Sequence, residues 1–111
     1  MIINYQELIG ANIAVCNSAG EQSIVINKDN LLSALSVQQW YDDNKLRASA
    51  LIRSITIGHG FQDGNKRTAA VIGAAICDYS CTEDEMIDCI LAIATGKLRK
   101  VEDIASILYP Y

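Results

Sequence analysis

The sequence predicts an all-α fold, a bundle of about six helices with one short β-hairpin. Apolar residues recur at helical spacing along most of the 111 residues, and helix-capping residues stand before several of these stretches. A single β-prone stretch, residues 21–27, interrupts the pattern. The length suits one domain with a modest core, so we expect residues 1–111 to form a single unit.

The N-terminal part is predicted to contain two helices and the hairpin. An apolar stripe indicates a first helix over residues 4–17; its members are Tyr5, Leu8, Ile9, Asn12, Ile13 and Cys16. Residues 21–27 contain three consecutive β-branched residues, which favour a short hairpin or an edge that waits for a partner strand. Asn27 then caps a second helix over residues 28–36.

Two helices are predicted in the middle of the chain. Trp40 and Tyr41 are expected to anchor the connection that precedes them against the core. The first, over about residues 45–58, turns an apolar face inward and its cations towards solvent: Lys45, Arg47 and Arg53. The second, over about residues 65–78, is apolar on every side beyond Thr68, so we expect it to be the buried central helix.

Two more helices are predicted at the C-terminal end. Thr82 and Glu85 stand three residues apart and form a capping box, which opens a helix that ends at Gly96. The last short helix covers Val101–Leu108.

The composition and net charge exclude some classes of function. Half the residues are apolar and a fifth are charged, which indicates a globular chain, and the net charge of −4 argues against nucleic-acid binding. No signal sequence and no membrane-spanning apolar run is visible, so we expect a cytoplasmic protein without a membrane partner. The four cysteines lack zinc or CxxC spacing and are expected to be buried, reduced thiols.

Residues 59–70, with the sequence HGFQDGNKRTAA, are the richest in functional groups and contain the only histidine and phenylalanine. A lone histidine is more often structural, but the polar residues that follow His59 favour a role as general base. Asp63 could cap the helix that begins at Asn65, or it could bind Mg²⁺ together with phosphate oxygens.

The same segment runs into a helix N-terminus, where backbone N–H groups lack partners and phosphate binds well. Gly64 has no Cβ, so a ligand can approach the N–H groups of Gly64, Asn65 and Lys66. Lys66 and Arg67 would be costly if left unpaired on an apolar helix, and a polyanion would remove that cost. These groups together favour phosphoryl-type transfer.

The segment matches the signature of the Fic/Doc family, H-x-F-x-[DE]-G-N-[GK]-R, at every fixed position, and it most resembles the Doc (death-on-curing) toxin branch. Residues 30–35 are similar to the upstream LLESAL segment of the family, and residues 91–104 resemble its downstream helices. The resemblance covers about residues 5–108 and implies a Fic/Doc-like bundle.

The resemblance also implies a role for each matched residue. His59 corresponds to the base that deprotonates a target hydroxyl, Phe61 to the hydrophobic anchor of the loop, and Asp63 to the Mg²⁺ ligand. Gly64 and Asn65 correspond to the anion hole, and Arg67 to a phosphate-binding cation.

Two departures from the Fic pattern bear on the reaction. Lys66 stands where Fic enzymes have glycine, and Ala70 stands where they have a second arginine. Doc-type kinases, which phosphorylate elongation factor Tu, share this pattern, so the departures favour transfer of the γ-phosphate of ATP to a Ser or Thr hydroxyl of a translation protein. The alternatives are Fic-type AMP transfer, a non-catalytic binding module with the Fic fold, and a structural helical domain.

The resemblance further implies two protein partners. Ser23, Ile24 and Val25 fall where the family has a flap that holds the target segment by strand addition, although a plain surface hairpin is the alternative. The self-inhibitory motif [ST]-x-x-x-E-[GN] of many Fic enzymes is absent. We therefore expect a small antitoxin that folds on binding and covers an exposed apolar groove.

Overall fold

The computed structural model describes residues 2–111, and this part of the chain contains six α-helices. The helices are α1 (Tyr5–Ser18), α2 (Lys28–Ser36), α3 (Asn44–Gly58), α4 (Asn65–Ile76), α5 (Glu83–Ala94) and α6 (Val101–Leu108). A 3-10 helix, Val37–Trp40, joins α2 to α3. The all-α prediction is confirmed, and the predicted helix boundaries lie within a few residues of those observed.

The predicted caps are confirmed. Asn27 accepts a hydrogen bond from the backbone N–H of Asn30, and Thr82 and Glu85 form the reciprocal bonds of a capping box at the start of α5. Asn4 and Glu7 form a second capping box, at the start of α1, which the sequence analysis missed. A side-chain cap of this kind contributes about 0.5–2 kcal/mol to helix stability.

Helix α3, rather than α4, is the central helix of the bundle. It packs against α2, α4, α5, α6 and the 3-10 helix, and Leu51, Ile52 and Ile55 are fully buried in it. The prediction that α4 is buried on all sides is wrong, since Val71 is 47% exposed. The reason is side-chain size: four alanines and one glycine are five of the twelve residues of α4, so the helix packs closely on α3 along one side and the other side stays uncovered.

Two further predictions about single residues are wrong. Trp40 is 73% exposed and Tyr41 is half-buried, and Gln38 anchors the connection instead. The buried side chain of Gln38 donates to the carbonyls of Ile3 and Leu35 and accepts from the N–H of Ile3. Arg47 is buried rather than directed to solvent, because it lies one helical turn before Leu51 on the inward side of α3. Its guanidinium donates a 2.6 Å hydrogen bond to Asn44.

The predicted β-hairpin is not confirmed, because residues 2–111 contain no β-strand. The β-prone segment instead forms one antiparallel bridge, between Val25 and Phe61. Ile26 donates its N–H to the carbonyl of Gly60, and Gln62 donates its N–H to the carbonyl of Ile24, both at 2.9 Å. The partner of the segment is therefore the loop between α3 and α4.

Two other expectations concern thiols and membranes. The four cysteines are free thiols; Cys16 and Cys89 are buried, whereas Cys77 and Cys81 are half-buried. No helix within residues 2–111 is long and apolar enough to cross a bilayer.

Candidate functional site

The candidate site is built on the loop 59–64, which joins the central helix to α4. The loop begins at His59, which ends α3 with a left-handed backbone (φ 47°), and it finishes at Gly64, which is the N-cap of α4 (φ 77°). Within residues 2–111, His59 is the one non-glycine residue with a positive φ. Such strain concentrates at functional sites. The imidazole of His59 is exposed.

Phe61 and Asn65 hold the loop in place. The ring of Phe61 is 1% exposed and belongs to the core, as expected of a hydrophobic anchor. The side chain of Asn65 is also buried; its Oδ1 accepts from the N–H of Phe61 at 3.1 Å, and its Nδ2 donates to the carbonyl of Phe61 at 2.8 Å. The amide of Asn65 is therefore engaged in holding the loop, and its backbone N–H is the group that this residue presents at the start of α4.

The start of α4 has no side-chain cap among the described residues. Asp63 therefore does not cap this helix, and the N–H groups of Asn65, Lys66 and Arg67 have no partner inside it. Gly64 lies close to α1: an added Cβ would come within 3.2 Å of Asn12 Nδ2 and of Val15 Cγ2. Helix α1 thus forms the wall behind this N-terminus, whose partial positive charge favours an anion.

The residues predicted for catalysis and for nucleotide binding line one cleft of about 380 Å³. Its lining consists of Glu21, His59, Gln62, Asp63, Gly64, Asn65, Lys66 and Arg67. An imidazole, a carboxylate, a helix N-terminus and two cations are thereby brought together. Lys66 is exposed and has no ion-pair partner among residues 2–111.

Glu21 is a residue of this cleft that the sequence analysis missed. Arg67 Nη2 donates a hydrogen bond to Glu21 Oε1, and Arg67 Nη1 donates to the carbonyl of Val15 at 3.1 Å. The hydrogen bond with Glu21 raises the pKa of Arg67, whose guanidinium is charged at physiological pH in any case. Arg67 therefore has partners within the protein even without a ligand. The side chain of Arg67 remains 46% exposed and accessible to a ligand.

Residues 23–25 lie beside this cleft. In the bridged segment, the carbonyl of Ile24 is bonded to the loop, and the hydroxyl of Ser23 donates to Asn12 Oδ1 at 2.6 Å. Strand geometry directs the N–H and C=O of Val25 away from the loop, because the bonds to the loop are made by the residues on either side of it. The side chain of Val25 is exposed.

A second cleft, of about 360 Å³, begins at the same cations and runs between α4 and α5. Its walls beyond Lys66 and Arg67 are mostly apolar: Ala70, Glu83, Met86, Ile87, Ile90 and Leu91. We refer to it as the α4–α5 groove.

The residues present fit Mg²⁺ only with help from a ligand. Within residues 2–111, no three His, Cys, Asp or Glu side chains are grouped to hold a metal ion. Asp63 is half-buried at the edge of the cleft, and Mg²⁺ commonly takes one or two carboxylates and completes its shell with phosphate oxygens and water. Asp63 fits that requirement if a phosphorylated ligand lies at the start of α4.

Comparison with models of known protein families finds no match to this sequence, and comparison with curated proteins also finds none. The resemblance to the Fic/Doc signature therefore remains a prediction from residues 59–67 and their flanking segments.

Proposed function

We propose that this chain is a Doc-type protein kinase with a Fic/Doc-like fold, which transfers the γ-phosphate of ATP to a Ser or Thr hydroxyl of a protein. A translation factor such as elongation factor Tu is the target that the resemblance favours. The observation that carries the proposal is that His59, Asp63 and the uncapped, cationic start of α4 line one cleft. A structural helical domain has no need of this combination.

The proposed reaction divides the work among these groups. His59 takes the proton of the target hydroxyl, whose oxygen attacks the γ-phosphorus; the bond from that phosphorus to the bridging oxygen breaks, and ADP leaves. The N–H groups at the start of α4, together with Lys66 and Arg67, stabilise the negative charge on the phosphates. Asp63 would hold Mg²⁺, which supplies further charge neutralisation when it is bound.

The bridged segment is the proposed docking edge for the target. The free backbone groups of Val25 lie on the side of the segment away from the loop, and an extended peptide can pair with them as an added strand. The hydroxyl of such a peptide would reach the cleft at the end near His59. This proposal replaces the predicted hairpin flap with a single edge.

The α4–α5 groove supports a second partner. It is apolar, open and begins at two cations, so it fits an amphipathic segment that carries a carboxylate near one end. We propose that the small antitoxin expected from the resemblance binds there and folds as it binds. We expect the proposed kinase and its antitoxin to act in the cytoplasm.

The test is transfer from labelled ATP. The purified chain is incubated with Mg²⁺, a cell lysate and ATP labelled at either the γ- or the α-phosphate, and the protein fraction is then counted. A Doc-type kinase places only the γ-label on protein, whereas an AMP transferase places the α-label. The control is Glu102→Ala, which changes an exposed side chain of α6 outside the cleft and should transfer normally. Nucleotide binding without transfer of either label would overturn the proposal and favour a binding module.

A further inference from the structure

Asn12 is a buried polar residue that joins separate parts of the candidate site. It lies on α1 and is 0% exposed. Its Nδ2 donates to the carbonyl of Asp63 at 2.9 Å and to the hydroxyl of Thr68 at 3.1 Å. Its Oδ1 accepts from the hydroxyl of Ser23 at 2.6 Å. One amide therefore contacts the loop 59–64, α4 and the proposed docking edge.

These partners fix the orientation of the amide. A backbone carbonyl can only accept, so the group that meets Asp63 must be the N–H₂ end, and the oxygen is left for Ser23. The thiol of Cys16 lies 3.6 Å from Oδ1 and 3.7 Å from the carbonyl of Asp63, and its one proton can serve either acceptor. Both N–H donors of the Asn12 amide are used, and its oxygen is bonded to Ser23, so the amide holds these neighbours in one arrangement.

The contact reaches the residue that caps α4. A Cβ on Gly64 would lie 3.2 Å from Asn12 Nδ2, so the amide rests against the backbone of Gly64 as well as bonding to Asp63. Asp63 and Gly64 are the two residues that precede the first turn of α4, whose N–H groups form the proposed anion site. A shift of Asn12 would therefore move the metal-binding carboxylate and the N–H groups that follow it.

We propose that Asn12 is a positioning residue that sets the backbone of Asp63 and Gly64 and couples it to the docking edge through Ser23. The catalytic part of this inference rests on the proposed function. A peptide that pairs with Val25 orders the segment that contains Ser23. The hydrogen bonds from Ser23 to Asn12 and from Asn12 to Asp63 then restrict the conformation of the loop 59–64. By linkage, nucleotide bound at the loop strengthens the docking of the peptide to the same degree.

The first test replaces the donor of Asn12. Asn12→Asp keeps the size of the side chain but places an oxygen against the carbonyl of Asp63, so the loop moves away. We expect the affinity for AMPPNP with Mg²⁺ to fall about tenfold, and in transfer assays the KM for ATP to rise similarly while kcat changes by less than about threefold. The matched control is Asn17→Asp, which adds the same charge at an exposed position of α1. Equal nucleotide affinities in the two variants would overturn the inference.

The second test needs neither activity nor a stable Asn12 variant. Ser23→Ala removes only the bond between the docking edge and Asn12, at a half-buried position. In the ligand-free protein, the amide chemical shifts of Asp63, Gly64 and Asn65 should change, while Ser18→Ala, at the exposed end of α1, leaves them unchanged. Unchanged shifts in Ser23→Ala would overturn the coupling. If the unmutated chain binds no nucleotide, the proposed function fails, and these shifts alone decide the positioning role.

Discussion

At position 59, an exposed imidazole is combined with a left-handed backbone, and the two can be separated by mutation. His59→Asn removes the base but retains a residue type that tolerates this conformation. We expect transfer to fall by about 10²–10⁴-fold, the range typical for loss of a general base, with an unchanged far-UV circular dichroism spectrum. Full transfer by the folded variant would exclude His59 as the base.

The pair formed by Glu21 and Arg67 gives a second prediction at the scale of single residues. The pair is partly exposed, and such ion pairs contribute about 0.2–1 kcal/mol. Glu21→Gln should therefore release Arg67 and raise the affinity for Mg·ATP by up to about fivefold at low salt. Isothermal titration calorimetry would measure this affinity. The control is Glu102→Gln, which removes the same charge at an exposed position of α6. Weaker binding in Glu21→Gln would show that Glu21 orients Arg67 rather than competing for it.

A third prediction concerns the direction in which the nucleotide lies. Lys66→Gly with Ala70→Arg restores the cation pattern of Fic enzymes and should move activity from γ-phosphate transfer towards AMP transfer. Ala70 is half-buried and lines the open α4–α5 groove, so an arginine there can extend into solvent. Transfer assays with α- and γ-labelled ATP measure the change. If the folded double variant still transfers only γ-phosphate, these two positions do not set the orientation.

At the scale of helices, the fourth prediction concerns the close contact between α3 and α4 and its effect on stability. A Cβ on Gly73 would lie 2.4 Å from Ile52 Cδ1 and 2.6 Å from the Tyr79 hydroxyl. Gly73→Ala should therefore lower the free energy of unfolding by about 1–3 kcal/mol, although alanine is the better helix former. Gly10→Ala is the matched control, because nothing lies within 4 Å of its added Cβ, and it should stabilise α1 by about 0.5–1 kcal/mol. Urea unfolding of both variants tests the pair; stabilisation by Gly73→Ala would contradict the close packing.

The helices themselves were predictable because their signals are local. Asn27, Thr82 and Glu85 act within one turn of their own helices, and the sequence analysis identified both of the caps that they form. The burial of each helix was less predictable, because it depends on partners elsewhere in the chain. An apolar composition could not reveal that α4 has too little side-chain area to be covered on every side, or that Arg47 lies on the inward side of α3.

At the scale of the whole molecule, the same distinction applies to the candidate site. The residues of the 59–67 segment are contiguous, so the motif alone predicted that they lie together. Glu21 and Asn12 are 46 and 51 residues away from their partners Arg67 and Asp63, and only the packing of α1 against α4 brings them there. The β-prone segment was recognised, but its pairing with the Phe61 loop is a long-range contact that its composition could not specify.

The regulation of the site is the last prediction and concerns the whole protein. Within residues 2–111, Glu21 is the one carboxylate that forms an ion pair with a cation of the cleft. A partly exposed pair of about 0.2–1 kcal/mol cannot exclude a triphosphate that contacts a helix N-terminus and two cations. We therefore expect expression of the unmutated chain alone to arrest growth, and expression of the His59→Ala form at the same level to leave growth unchanged. Growth curves with quantified soluble protein measure both. Normal growth with abundant, soluble, unmutated protein would instead favour the inert binding module, since an unrestrained kinase of translation would not be tolerated.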